Sequence, residues 1–239
     1  MTINGIDVST YHAYQHTVDF SYNKINNDSE WIRSAALPHF GSSYMDFKKF
    51  SVTLMVKGSS RDAIHADVSR ILGLLHQPAV LVLDNFSHTF KAVLADFKVQ
   101  ERSMRRFHKL TLTFSGYEYG EEVSVTPASA GKTFTTTNPG TAFLSPVKME
   151  FTPSAAIAAL TITGLCINPV TLADEPVVLT SLTASKPVVL DGANGIFTVD
   201  GSPIQGITIK SPPAVRAGSV TIKSSANIKP TITILPLYM

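Results

Sequence analysis

Apolar and polar positions alternate along most of this chain. In HKLTLTFSGYEYG, residues 108–120, Leu110, Leu112 and Phe114 alternate with Thr111, Thr113 and Ser115. A period of two puts each set on its own face of a strand, so the first set points to a core. FKKFSVTLMVKG (47–58) predicts another strand. PAVLVLDNF (78–86) and HTFKAVLADFKVQ (88–100), parted around Asn85, Phe86 and Ser87, predict a hairpin. One stretch follows a different period. SSRDAIHADVSRILGLLHQP (59–78) carries Ile64, Val68, Ile71, Leu72 and Leu75 at helical spacing, which predicts a helix near 60–76. Ser59 and Asp62 have the spacing of a capping box, Gly73 weakens the last turn, and Pro78 stops the helix.

The second half reads as strands throughout: KTFTTTN, PVKMEFTPS, AALTITGL, PVVLTSL, KPVVLDG, GIFTVDG, GITIKS, SVTIKSS and PTITILPLYM. Turn signals part them at Asn138-Pro139-Gly140, Asp191-Gly192, Asn194-Gly195 and Asp200-Gly201. Short strands at this spacing predict a sandwich or jelly roll. Asn138-Pro139-Gly140 suits a type II turn, in which Gly140 takes a positive φ. It would form the first corner of the second sandwich.

Composition splits the chain at the same place. Before residue 128 lie all seven histidines, Trp31, six of the seven tyrosines and nine of the thirteen phenylalanines. The remainder is rich in Thr, Val, Ile, Ala, Ser and Pro. We expect two domains, 1–126 and 127–239, with the joint in VSVTPASAGKT (123–133), whose small and turn-forming residues suit a linker. Phe151 to Ala173 carries no charge, but Thr161, Thr163, Asn168 and Pro169 interrupt it, so strands are expected rather than a membrane span. The start, MTINGIDVSTYH, has no basic and apolar leader pattern, so we expect a protein made and, at least at first, kept in a reducing cytoplasm. A net charge of +2 gives the whole chain no footprint for nucleic acid or an acidic membrane.

No constellation for chemistry stands out. His12 and His16 have the spacing of two ligands on a helix, but strand formers follow and no acidic neighbour completes a motif. Gly131-Lys132-Thr133 ends like a phosphate loop, yet Thr126 stands where its first glycine belongs. Cys166, the single cysteine, lies in an apolar run and reads as a buried, inert thiol. Asp174, Glu175, Asp191 and Asp200 could reach calcium from loops, but Asp-Gly is first a hairpin signal. No catalytic residue, metal or cofactor is expected. The basic cluster QERSMRRFHKL holds Arg102, Met104, Arg105, Arg106, Phe107 and Lys109. It reads as a solvated hairpin end or a subunit contact, and less well as a nucleic-acid contact. Arg and aromatic side chains suit interfaces because they bury large area and still make polar contacts. With Trp31, residues 102 and 104–107 form the candidate subunit interface. Trp31, Tyr44, Phe47 and Phe50 are core or interface; the pattern does not separate the two.

The order of these pieces resembles the distal tail protein (Dit) family of siphophages, in its short two-domain form, over essentially the whole chain. The resemblance rests on TNPGTAFLSP as the opening strand of the second half, FTVDG as a hairpin, PPAVRAGSVTIK and the closing PLYM. LPHFGSSYMDF stands where the family often has a Gly-Arg-x-Gly loop. The resemblance implies a mainly β protein: an N-terminal β-rich domain with one helix, and a C-terminal galectin-like β-sandwich. It implies a homo-hexameric ring, with the first domain around a channel and the sandwich outside. The ring would join the tail tube to a tail-associated lysin or baseplate hub at the virion tail tip, pass DNA only in transit, and assemble in the bacterial host cytoplasm. With no long insertion in the second half, neither an extended arm nor an added carbohydrate module is expected. Another tail-tube or baseplate hub component is the first alternative. A carbohydrate-binding sandwich is the second; only Phe134, Phe143, Phe151, Phe197 and Tyr238 are there to stack on a sugar.

Overall fold

The two hydrophobic periods of the first half become a sheet and the helix that covers it. The computed structural model describes residues 1–21, 25–30, 39–101, 106–168 and 171–239, with the backbone course alone for 25–30 and 39–45. It divides into two units, Met1–Tyr119 and Gly120–Tyr238.

The first unit runs β1 (Thr2–Ile3), β2 (Ile6–Asp7), β3 (Ala13–Ser21), β4 (Ile25–Glu30), β5 (His39–Met45), β6 (Lys48–Lys57), α1 (Arg61–Gly73), β7 (Ala79–Val82), β8 (Thr89–Glu101) and β9 (Phe107–Tyr119). Its main sheet is antiparallel in the order β2-β1-β7-β8-β9-β6-β3, and β4 pairs with β5 as a separate hairpin. The β6–β9 register sets Phe50 beside Phe114, Val52 beside Leu112 and Leu54 beside Leu110, so all six face one side. Helix α1 lays Ile64, Val68 and Ile71 on that side, closing a core. Phe50 and Phe114 stack there with ring centroids 5.3 Å apart.

The helix starts one residue later than the sequence suggests. Ser60, not Ser59, is the N-cap; it is extended, and its hydroxyl accepts the Ala63 N–H at 3.2 Å. Ala63 then holds the position a capping box reserves for an acid, so no box forms. Asp62 instead lies in the first turn, beside the positive end of the helix dipole. The helix ends at Gly73, ahead of the expected 76.

The second unit runs β10 (Val123–Val125), β11 (Gly131–Asn138), β12 (Ser145–Phe151), β13 (Ile157–Ile167), β14 (Asp174–Leu182), β15 (Val188–Asp191), β16 (Ile196–Val199), β17 (Ser202–Pro203), β18 (Ile207–Thr208), β19 (Ala214–Val215), β20 (Gly218–Ile228), β21 (Thr231–Ile234) and β22 (Leu237–Tyr238). One sheet has the order β10-β21-β12-β15-β16-β17, with β19 also on β12; the other is β11-β20-β13-β14-β18. Met149, Leu190 and Ile232 from the first sheet share a core with Leu160, Ile162, Leu179 and Ile222 from the second. This is the expected β-sandwich. The middle of the uncharged run is strand β13, and among the described residues no helix is long and apolar enough to cross a membrane.

Two turns show how the sequence places its corners. Asp200 and Gly201 both have positive φ, 53° and 74°, between paired Val199 and Ser202. That is the type I′ hairpin an Asp-Gly pair favours. At Asn138-Pro139-Gly140 the expected type II turn is absent, because Gly140 is not among the glycines with positive φ. The buried Asn138 side chain shapes the corner instead: its carbonyl accepts the Gly140 N–H at 3.0 Å, and its amide donates to the Arg216 carbonyl at 3.1 Å. Gly140 is needed for space, since a Cβ there would lie 2.6 Å from the Leu237 carbonyl oxygen. Thr141 and Ala142 both donate their N–H to that same oxygen, and the chain crosses from one sheet to the other.

Candidate subunit-contact surfaces

The basic cluster falls at the end of the β8–β9 hairpin, where Glu101 pairs with His108 and Gln100 with Lys109. Trp31, Arg102, Met104 and Arg105 lie outside the described residues. Arg106 is exposed, and its carbonyl accepts the Gly58 N–H at 3.2 Å. Phe107 is half-buried, with the Lys57 ammonium 5.8 Å from its ring centroid. The hairpin end is thus tied to the loop between β6 and α1. Helix α1 reaches the same place: Arg61 and His65 both approach the Glu101 carboxylate. His65 meets the buried His108 edge-on, ring centroids 5.3 Å apart. Among the described residues, His108 Nδ1 has no hydrogen-bond partner. Burial first, then His65 and Arg61, hold the His108 pKa below 6.5.

The other candidates sit apart from one another. His12 is in a left-handed conformation before β3, and its Nδ1 lies 2.9 Å from the buried Asp67, which also takes Arg70 at 2.8 Å. His16 is exposed in β3, where the register with β6 slips between Gln15 and Thr17. Asp191 accepts the N–H groups of Ala193 and Asn194, so its carboxylate shapes a turn. Asp200 pairs with Lys186. Glu175 accepts the Ser211 hydroxyl at 2.6 Å and the Asn168 amide at 2.9 Å, in that order the causes that hold its pKa below 4.5. Among the described residues no three His, Cys, Asp or Glu gather to hold a metal ion. Lys132 and Thr133 lie in strand β11, not before a helix. Cys166 is fully buried, and burial pushes its thiol up to about 12. Of the open core-or-interface set, Phe50 is core and Phe47 is 62 % exposed.

Larger surfaces went unsignalled in the sequence. Strand β7 begins opposite Ala92, so among the described residues β8 has only β9 beside it from Val93 to Glu101. These nine residues leave one long sheet edge open. At the far side, among the described residues, β3 pairs only with β6 and leaves a second nine-residue edge. Val93 (45 %) and Phe97 (49 %) are exposed along β8, and Tyr14 (50 %) along β3. Unpaired N–H and C=O groups on such edges are templates for another chain. Alternation marks Val93 and Phe97 as strand residues; it does not tell an inner strand from an edge.

No family model matches the sequence, and no curated protein matches it. Among solved structures, the chain is similar to the crystal structure of the Dit protein (gp 19.1) of phage SPP1, described as a paradigm of the hub adsorption apparatus in phages infecting Gram-positive bacteria. The TM-score is 0.77 at 14% identity, covering 99% of this chain and 98% of that one. Two structures of the phage P2 baseplate in its activated conformation, with Ca and with Sr, align at TM-scores of 0.49 and 0.46, each at 9% identity over 96% of this chain and 92% of that one. Scores that low carry no weight beside the first. Over essentially its whole length, the chain has the fold of a phage distal tail protein.

Proposed function

We propose that this chain is a non-enzymatic structural subunit of a phage tail tip. Its copies close into a hexameric ring that joins the tail tube to the tail-associated lysin or baseplate hub and leaves a channel for DNA. The first unit forms the ring and the sandwich lies outside it. Assembly takes place in the host cytoplasm and needs no metal or cofactor. The observation that carries this reading is the match to SPP1 Dit along both chains from end to end.

The two open edges support it. Along β8-β9-β6-β3 every neighbour is antiparallel, so β8 and β3 run in opposite directions. The β3 edge of one copy can then meet the β8 edge of the next as an antiparallel pair. Contacts of that head-to-tail kind close into a ring when their rotation closes. A sugar-binding sandwich has less to work with: Phe134 and Phe151 are in the core, and Phe143 alone of the four phenylalanines is well exposed.

Light scattering at micromolar concentration tests the ring. Six copies of 25.8 kDa give a closed species of about 155 kDa. That mass, with six-fold rings under the electron microscope, is the expected result. A single chain at every concentration that also ignores the hub protein of its phage overturns the proposal.

A further inference from the structure

An open pocket of about 630 Å³ lies in the first unit, lined by His12, Tyr14, Lys57, Gly58, Ser59 and Arg106. It sits at one end of the sheet, where β3 begins, β6 ends and β9 begins; Ala13 pairs with Val56 there, and Lys57 with Phe107. None of the six lining residues is acidic and three are basic. Among the described residues, Lys57 and Arg106 form no ion pair. The nearby Asp67 is taken by His12 and Arg70. The first half of the chain balances thirteen cationic against thirteen acidic residues, so this mouth is a local excess rather than a general one.

We propose that this pocket docks an acidic loop or chain end of another tail protein, with a carboxylate held between Arg106 and Lys57. The identity of the partner as a tail protein rests on the ring reading above. Arg offers a planar fork of donors that matches a carboxylate with two parallel hydrogen bonds. Lys57 adds a point charge whose place is set by the Phe107 ring. Asp67 takes Nδ1 of His12, which leaves Nε2 as the free nitrogen of that ring. The volume falls in the range of about 300–1,000 Å³ usual for bound organic groups, so it takes a short peptide stretch and is far too large for one ion. A DNA duplex is too wide to enter and could only lie across the mouth. Tyr14 puts one wall of the pocket at the start of the β3 edge, but Lys57 closes β6 and Arg106 precedes β9, so the place proposed for the carboxylate lies off both open edges and stays free when copies join side by side. A component stacked on the ring therefore fits it better than a ring neighbour.

The test uses the whole chain and a labelled oligo-glutamate peptide, read by fluorescence anisotropy at low salt. The wild type is expected to bind it. The Lys57→Ala/Arg106→Ala variant should bind at least about tenfold more weakly. Lys223→Ala/Lys229→Ala, exposed in the second unit, should bind as the wild type does. No binding, equal binding by the pocket variant, or displacement by a DNA oligonucleotide at lower concentration than by unlabelled peptide each overturns the proposal. Native mass is measured on the same samples. A single-chain mass that persists when the hub protein is added, with pocket-dependent peptide binding, sinks the ring and sustains the pocket; a ring with pocket-independent binding does the reverse.

Discussion

The two units solve the edge problem of β-structure in opposite ways. In the second, three of the four outer strands are stubs: β10 has three residues, and β17 and β18 two each. Short edge strands offer little to pair with. In the first, β3 and the outer part of β8 each present nine residues, roughly 30 Å of open backbone. Exposed large apolar side chains follow the same division. Among the described residues Ile6, Tyr14, Phe47, Val80, Val82, Phe86, Val93 and Phe97 lie in the first unit, against Phe143, Leu172 and Ile196 in the second. One unit is finished by itself. The other carries surfaces that a further chain would complete.

Four experiments press on that contrast. The heaviest blow is Phe114→Ala, which empties the stacked pair beneath α1. It should cost about 3–5 kcal/mol. In urea it should move only the first of two unfolding transitions, leaving the one that belongs to the sandwich. A single shared shift would show that the units do not unfold separately. Next is Val93→Lys/Phe97→Lys, which places charges on the β8 edge. Stability should change by less than about 0.5 kcal/mol per site, as for other exposed positions. Native mass should nevertheless drop from the ring to one chain; an intact ring would take β8 out of the contact.

Acid should separate the units more gently. His108 has its folded pKa below the ordinary 6.5, so its contribution is complete above that value. It is lost as pH falls from 6.5 toward the lowered folded value, because the unfolded chain binds the proton first. Glu175 has its folded pKa below 4.5, so its contribution is present above 4.5 and lost only as pH falls further. Melting at pH 7, 6 and 5 should therefore weaken the first unit and spare the second. His108→Gln should flatten that slope; an unchanged slope would assign it to other groups. The smallest effect concerns Cys166. A maleimide should leave the folded protein unlabelled, since the thiol is buried and held up to about 12. Labelling should begin only with the sandwich transition, which makes it a reporter for that unit alone.

The residue pattern carried the architecture well, for a physical reason. Strand faces repeat every two residues and helix faces every 3.6, so Leu110, Leu112 and Phe114 or Ile64, Val68 and Ile71 announce their core without help from the rest of the chain. What stayed hidden depends on distant neighbours. Whether Ser59 or Ser60 caps α1 turns on which hydroxyl reaches Ala63. The role of Gly140 depends on the Leu237 peptide, nearly a hundred residues on. The openness of β8 depends on where β7 begins, and no residue within β8 records that. The basic pocket joins residue 12 to residues 57 and 106, a grouping that exists only after the sheet has formed.

The pairing of β10 with β21, and of β11 with β20, bears on the order of events at the ribosome. The second unit opens with strands whose partners are among the last to be made, so its sheets cannot close until residues 218–234 have emerged. Strands β1 to β9 all precede residue 120. Domains fold as they are synthesised, at about 5–20 residues per second. The first unit therefore stands folded for several seconds, both edges open, while the second is still an unpaired tether. Copies on one message can meet edge to edge before any of them is complete, so the ring proposed above would begin during translation.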